Sequence, residues 1–164
     1  MINMIRLDER MIHGQVAIKW SRHTNVNRIV VANDDAATNQ TVKNSLMMAA
    51  PSTVKVAIKS VSESIELLND PRSNDLKILV IVANPSDLLS ILENVKDIPL
   101  VNIGNFGRIS LSGNQSSRKH YRSHLYADEL ELEVFRKIVD LGIKTIYQVT
   151  PEEQPEPLKK VLNL

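Results

Sequence analysis

The chain has 164 residues, a formal net charge of +1, 43% hydrophobic and 24% charged residues, and no cysteine. A chain of that length buries roughly two thirds of its unfolded surface, so one domain over residues 1–164 is expected, and the composition excludes global disorder. Near-neutral charge offers no overall attraction for nucleic acid, and the lack of cysteine excludes disulfides, thiolate chemistry and cysteine-ligated zinc, as suits a reducing compartment.

Along the chain, β-branched runs alternate with segments of helical periodicity. Strands are predicted at residues 2–7, 28–32, 54–58, 78–83, 100–103 and 145–149. The run Ile78-Leu79-Val80-Ile81-Val82 is apolar without alternation, the pattern of a strand covered on both faces in a parallel sheet. It is far too short to cross a bilayer, and the N-terminus opens on a strand instead of a secretion signal, so a cytoplasmic protein is expected. Helices are predicted at residues 14–23, 38–49, 62–68, 86–95 and 128–141, the last with Leu130, Val134, Ile138 and Leu141 on one face, Asp128 as N-cap and Gly142 as stop. Asn84-Pro85-Ser86-Asp87 reads as a strand exit into a capped helix, and the proline-rich residues 151–157 as a turn before a short terminal helix at 158–162. Residues 108–124 are poor in apolar side chains and read as an exposed loop or edge hairpin. The whole pattern predicts an α/β fold, an open, mainly parallel sheet with helices on both faces and right-handed crossovers.

In such sheets ligands bind beyond the carboxyl ends of the strands, usually where strand order reverses. The candidate residues are therefore Asp8, Arg10, His13, Gly14 and Gln15 after the first strand, Asn33, Asp34 and Asp35 after the second, Asn84 and Ser86 after the fourth, and Gly104, Asn105 and Gly107 after the fifth. A lone histidine is more often structural than reactive. His13, however, precedes Gly14 at a helix start, where free N–H groups and the helix dipole favour an anion, and Arg10 can add a bidentate contact to phosphate or carboxylate. A histidine beside such a cradle can accept a phosphoryl group or act as a general acid or base. Asp8 can orient Arg10, while Asp34 and Asp35 can serve simply to start a helix. His13, His23, His120 and His124 show no recognised ligand spacing, so no metal is expected. Residues 104–107 carry a tight-turn signal, Trp20 reads as core, and the basic residues 118–124 read as a solvated loop or, more sharply, a docking patch for an acidic surface.

The stretch Arg6-Leu7-Asp8-Glu9-Arg10-Met11-Ile12-His13-Gly14-Gln15-Val16, with Trp20 following, closely resembles the signature of the IIB components of the mannose/fructose/sorbose family of the bacterial sugar phosphotransferase system. The usual pattern there is Arg-Ile-Asp-Asp/Glu-Arg-Leu/Ile-Ile/Val-His-Gly-Gln. Residues 29–35, Ala50-Pro51, residues 84–87 and residues 101–105 extend the resemblance over nearly the whole chain. It implies a phosphotransferase that takes phosphate from the phosphohistidine of a IIA component onto Nδ1 of His13, without a cofactor. The phosphate then passes to a sugar entering through the IIC and IID membrane components. It further implies Arg10 offsetting charge on the phosphoryl oxygens, Gly14 and Gln15 offering backbone N–H groups, Asp8 holding the loop, and Asn33, Asp34 and Asn105 lining its surroundings. The expected location is cytoplasmic with peripheral attachment to the membrane components, with a homo-oligomer among the forms the chain can take. The sugar, whether mannose, fructose, sorbose or N-acetylgalactosamine, is not written in this chain. The competing readings are an anion or sugar-phosphate binding module without transfer, in which Arg10 matters and His13 does not, and an RNA-binding protein using residues 118–124. The latter lacks interleaved aromatic residues beyond Tyr121 and Tyr126, so no nucleic-acid partner is expected.

Overall fold

A computed structural model describes residues 1–109 and 117–164 of the chain. Strand β1 (Ile2–Asp8) leads through a loop to α1 (Gly14–His23), followed by β2 (Arg28–Ala32), α2 (Asp34–Thr38), α3 (Gln40–Ala49), β3 (Lys55–Lys59) and α4 (Val61–Asn69). A 3-10 turn at Pro71–Asp75 precedes β4 (Ile78–Val82), α5 (Pro85–Asn94) and β5 (Val101–Asn105). The hairpin of β6 (Lys119–Arg122) and β7 (Leu125–Ala127) leads to α6 (Glu129–Asp140), β8 (Thr145–Tyr147), β9 (Glu156–Pro157) and α7 (Leu158–Val161).

The main sheet runs β3-β2-β4-β1-β5-β8-β9. All its pairings are parallel except the last, where β9 runs antiparallel to β8. Successive strand residues point to opposite faces, and both faces are apolar, so two cores form. Ile5, Leu7, Val80 and Val82 pack with Leu88 and Ile91 of α5, Phe135 and Ile138 of α6 and Leu158 of α7. Met4, Ile29, Val31, Leu79 and Ile81 pack on the other face with Ala17 and Trp20 of α1 and Leu46 of α3. Each fully buried side chain of this size contributes about 1.5–3 kcal/mol, which makes the doubly covered central strands the firmest part of the molecule. β1 lies between β4 and β5. The chain leaves β1 through α1 on one face and enters β5 through α5 on the other, so strand order reverses at β1 and a crevice opens at its carboxyl end.

The predicted α/β sheet, the helices on both faces and the start of α6 agree with the structure. Asp128 caps α6 with a full capping box, its side chain accepting from Glu131 N–H at 2.8 Å while Glu131 accepts from Asp128 N–H at 2.9 Å. Gly142 takes the left-handed conformation (φ 77°) that ends the helix.

Three expectations require correction. The helix expected over residues 38–49 is α3 and starts at Gln40, with a separate short helix α2 before it, because Asn39 is extended and caps α3 by accepting from Val42 N–H at 3.1 Å. Of the predicted α6 face, Ile138 is buried and Val134 packs against the core, but Leu130 and Leu141 do not belong to it. Leu130 is 79% exposed in the first turn and Leu141 is the C-cap residue, whereas Phe135 and Ile138 are fully buried, Phe135 edge-on to Phe106. Gly104 lies inside β5 and is not part of a turn; Gly107 (φ 94°) makes the turn. In the stretch read as a loop or edge hairpin, β6 and β7 form a two-stranded sheet of their own, and Ser110, Ser112, Gly113, Asn114 and Ser116 lie outside the described residues.

The α6 correction has a measurable consequence. Phe135→Ala is expected to cost about 3–5 kcal/mol in urea unfolding, whereas Leu130→Ala stays within about 0.5 kcal/mol. Equal losses would contradict the observed packing.

Candidate functional site

The crevice is built around a charge that the sheet should not tolerate. Arg6 is 2% exposed in the middle of an apolar strand, and burial pulls its guanidinium down from its ordinary value, opposed chiefly by Asp8. An arginine so placed needs every donor matched. Its Nη1 donates to Asn102 Oδ1 and to the Gln148 carbonyl (3.2 Å), and its Nη2 to Asp8 (3.1 Å) and the Val149 carbonyl (3.1 Å). The guanidinium lies 5.2 Å from the Trp20 ring centroid. It also occupies the space where a Cβ of residue 104 would project, which would sit 2.1 Å from Arg6 Cζ. Glycine is therefore required at 104 for close approach, a different reason from the turn its sequence context suggests. Trp20, buried as expected, adds its own tie by donating Nε1–H to the Val149 carbonyl at 3.0 Å.

Asp8 passes this anchorage to the loop. Its carboxylate, 1% exposed, accepts from Arg6, from Arg10 N–H (3.0 Å), Arg10 Nε (3.2 Å) and Arg10 Nη2 (3.3 Å), and from Asn105 Nδ2 (3.4 Å). Two cations on one carboxylate leave the trio with net positive charge. Arg10 Nη1 makes no hydrogen bond among the described residues, and the side chain is 24% exposed. The loop then turns through Met11 (φ 61°), plants Ile12 in the core and enters α1 through Gly14 (φ 47°). Left-handed backbone is costly for a side chain such as methionine and is held here by the Met11 N–H bond to the Asp8 carbonyl (2.9 Å) and by buried Ile12 after it. The result is that His13, Gly14 and Gln15 are all exposed. His13 occupies the N-cap position in extended conformation and makes no side-chain cap, so the first N–H groups of α1 remain available with the positive end of the helix dipole.

Of the residues read from sequence, the structure joins Asp8, Arg10 and Asn105 by direct hydrogen bonds and sets His13, Gly14 and Gln15 on the same loop. Asn33 and Asp34 have other work: Asn33 caps α2 through Ala36 N–H (2.9 Å), and Asp34 accepts Val61 N–H (2.9 Å), tying α2 to α4. With Asp35 they make the far side of the rim acidic. There, Asp87 is pushed up from the usual carboxylate range by burial first and by Asp34 and Asp35 after it. Among the described residues no group of His, Asp or Glu is arranged to hold a metal ion.

Residues 118–124, read as a solvated loop or a docking patch, have their arginines engaged within the fold. Arg118 is 8% exposed, pairs with Glu131 at 2.7 Å and lies over the Phe106 ring, while Arg122 pairs with Glu156 at 2.9 Å. These arginines hold the hairpin to α6 and β9, leaving Lys119 and His120 outward. Sequence reasoning missed Arg6, Asn102 and Gln148 as the support of the loop. The signal was present as an arginine and an asparagine inside otherwise apolar strands, where buried polar groups must find partners.

Asp8→Ala is expected to cost about 3–5 kcal/mol in chemical denaturation, because it leaves Arg6 buried without its counter-charge. A loss below about 1 kcal/mol would contradict the central place given to this carboxylate.

Comparison with known proteins places this geometry. The family described as PTS system sorbose subfamily IIB component matches residues 2–164. A protein described as a "probable phosphotransferase enzyme IIB component" from Streptococcus pyogenes serotype M6 is 39% identical over 164 residues, 99% of this chain and 100% of the relative. The mannose-specific EIIAB component of Escherichia coli is 30% identical over 143 residues, 87% of this chain but 42% of that longer protein. Among solved structures, the IIBSor domain of the sorbose permease from Klebsiella pneumoniae superposes with a TM-score of 0.89 at 26% identity, covering 99% of this chain and 96% of that one. No described helix is long and apolar enough to cross a membrane. The chain belongs to the sorbose-subfamily IIB components of the sugar phosphotransferase system.

Proposed function

We propose that His13 is the residue on which this phosphotransferase carries its phosphoryl group. The observation that carries the reading is the exposed imidazole at an uncapped helix N-terminus, on the same loop as a guanidinium held by a buried carboxylate. The nucleophile is a ring nitrogen lone pair of His13, Nδ1 by the family pattern. Its bond to phosphorus forms as the bond from phosphorus to the histidine of the IIA donor breaks. A sugar hydroxyl oxygen then takes the phosphoryl group, the phosphorus–nitrogen bond of His13 breaks, and the imidazole is regenerated. Such a transfer needs little covalent assistance, since positioning and charge stabilisation supply most of the rate. Arg10 Nη1 and the N–H groups of Gly14 and Gln15 are the donors in place for the phosphoryl oxygens, and Asp8 and Asn105 keep Arg10 and the loop in register.

IIB components work with IIA and with the membrane IIC and IID components. We read the whole span as one IIB domain that meets IIA and the membrane components in turn, peripherally at the cytoplasmic face. The identity of the sugar is assigned to those membrane components.

Incubation with a phosphorylated IIA donor is expected to add one acid-labile, alkali-stable phosphoryl group, seen by intact-mass spectrometry, and His13→Gln and His13→Ala abolish it. Label that survives either substitution sinks the assignment. Arg10→Ala is expected to slow transfer about 10–100-fold, the worth of one charge-assisted contact, with Asp8 still held by Arg6.

A further inference from the structure

Glu9 is stitched to the exit of β5 twice. Its N–H donates to the Asn105 carbonyl at 2.9 Å, and its carboxylate Oε2 accepts from Arg108 N–H at 3.0 Å and Ile109 N–H at 3.2 Å. Two successive amides turned onto one oxygen form a small anion nest that fixes the backbone of Arg108 relative to the loop carrying His13. The other end of this segment is held as firmly. Phe106 N–H donates to the His124 carbonyl and Tyr126 N–H to the Phe106 carbonyl, both at 2.9 Å. Gly107 then reverses the chain at φ 94°, so close to the hairpin that a Cβ there would lie 2.1 Å from the Tyr126 carbonyl oxygen. Arg108 is thus an exposed cation on a segment clamped from both sides. Its neighbourhood is shared with Arg10: the His124 imidazole is lowered from its ordinary value by burial first, then by Arg108 and Arg10.

We propose that Arg108 is a second cation for the phosphoryl group in transit on His13, and that Glu9 is the positioning residue that sets it there by holding its backbone. This rests on the assignment of His13 as carrier. It gives the phosphoryl group a guanidinium from each of two strand exits, Arg10 after β1 and Arg108 after β5. The neighbouring chain positions are thereby given distinct work, Asp8 steering Arg10 and Glu9 steering Arg108.

The test is transfer from a phosphorylated IIA component to the full chain, with kcat and KM measured separately and folding checked by thermal melting. Arg108→Ala is expected to lower kcat about tenfold, the worth of an exposed charge-assisted contact, with Arg108→Lys recovering part of it. Glu9→Ala reproduces the loss, and Glu9→Gln, which keeps an acceptor oxygen, restores most of it. The double variant Glu9→Ala/Arg108→Ala is no slower than Arg108→Ala alone, because Glu9 acts through Arg108. Three results each overturn the proposal: wild-type kcat in Arg108→Ala, a rise in KM alone, or losses that multiply in the double variant. Failure of the carrier assignment looks different, since the wild type would then take up no label, or label independent of His13.

Discussion

The Arg6–Asp8 pair is the interaction on which the rest of the site depends. Both partners are removed from water, and an ion pair so placed is costly unless its remaining donors and acceptors are also met. Here they are met by two side chains of β5, Asn102 and Asn105, by the carbonyls after β8 and by the next arginine of the same loop. The energetic return on this arrangement is specificity. A pair that needs that many partners at once has one acceptable geometry, and the loop beyond Asp8 inherits it.

Charge is also sorted around the crevice. Arg10 and Arg108 lie on the side of β1 and β5, while Asp34, Asp35 and Asp87 crowd the side of β2 and β4, where burial first and the neighbouring carboxylates after it disfavour ionisation of Asp87. An anionic group approaching the crevice is therefore drawn to one half and repelled by the other, although the molecule as a whole is nearly neutral. The basic hairpin does not add to this field in the manner its sequence suggests, because Arg118 and Arg122 are neutralised by Glu131 and Glu156. Their contribution is mechanical, holding the hairpin against which Phe106 and Gly107 are laid.

The strands were legible because apolar β-branched runs such as Ile78–Val82 have few alternatives, and α1 because His13-Gly14 marks its start so plainly. The capping residues Asn84 and Asp128 were legible for the same local reason. The face of α6 was legible only in its middle, at Val134 and Ile138: Leu130 and Leu141 satisfy helical periodicity, but the ends of a helix overhang its support, and only tertiary packing selects Phe135. The site was legible as a list of strand-exit residues, and Asn105 proved to touch Asp8. What the sequence concealed was the support beneath it, because Arg6, Asn102 and Gln148 are far apart in the chain and nothing local pairs them. Basic residues 118–124 misled for a related reason. Their counter-charges lie on later elements, invisible to a reading of local charge.

The contacts that seat Arg6 on the Gln148 and Val149 carbonyls span 142 and 143 positions. A ribosome therefore makes the reactive loop long before the carbonyls that hold its foundation emerge. Until they do, Arg6 has no dry place to sit, and Asp8 and Arg10 have nothing rigid to lean on. The loop is thus made before its support and shaped after it. A chain cut before Gln148 carries the complete His-Gly-Gln motif without the support that shapes it, so the finished site reports that synthesis has passed β8.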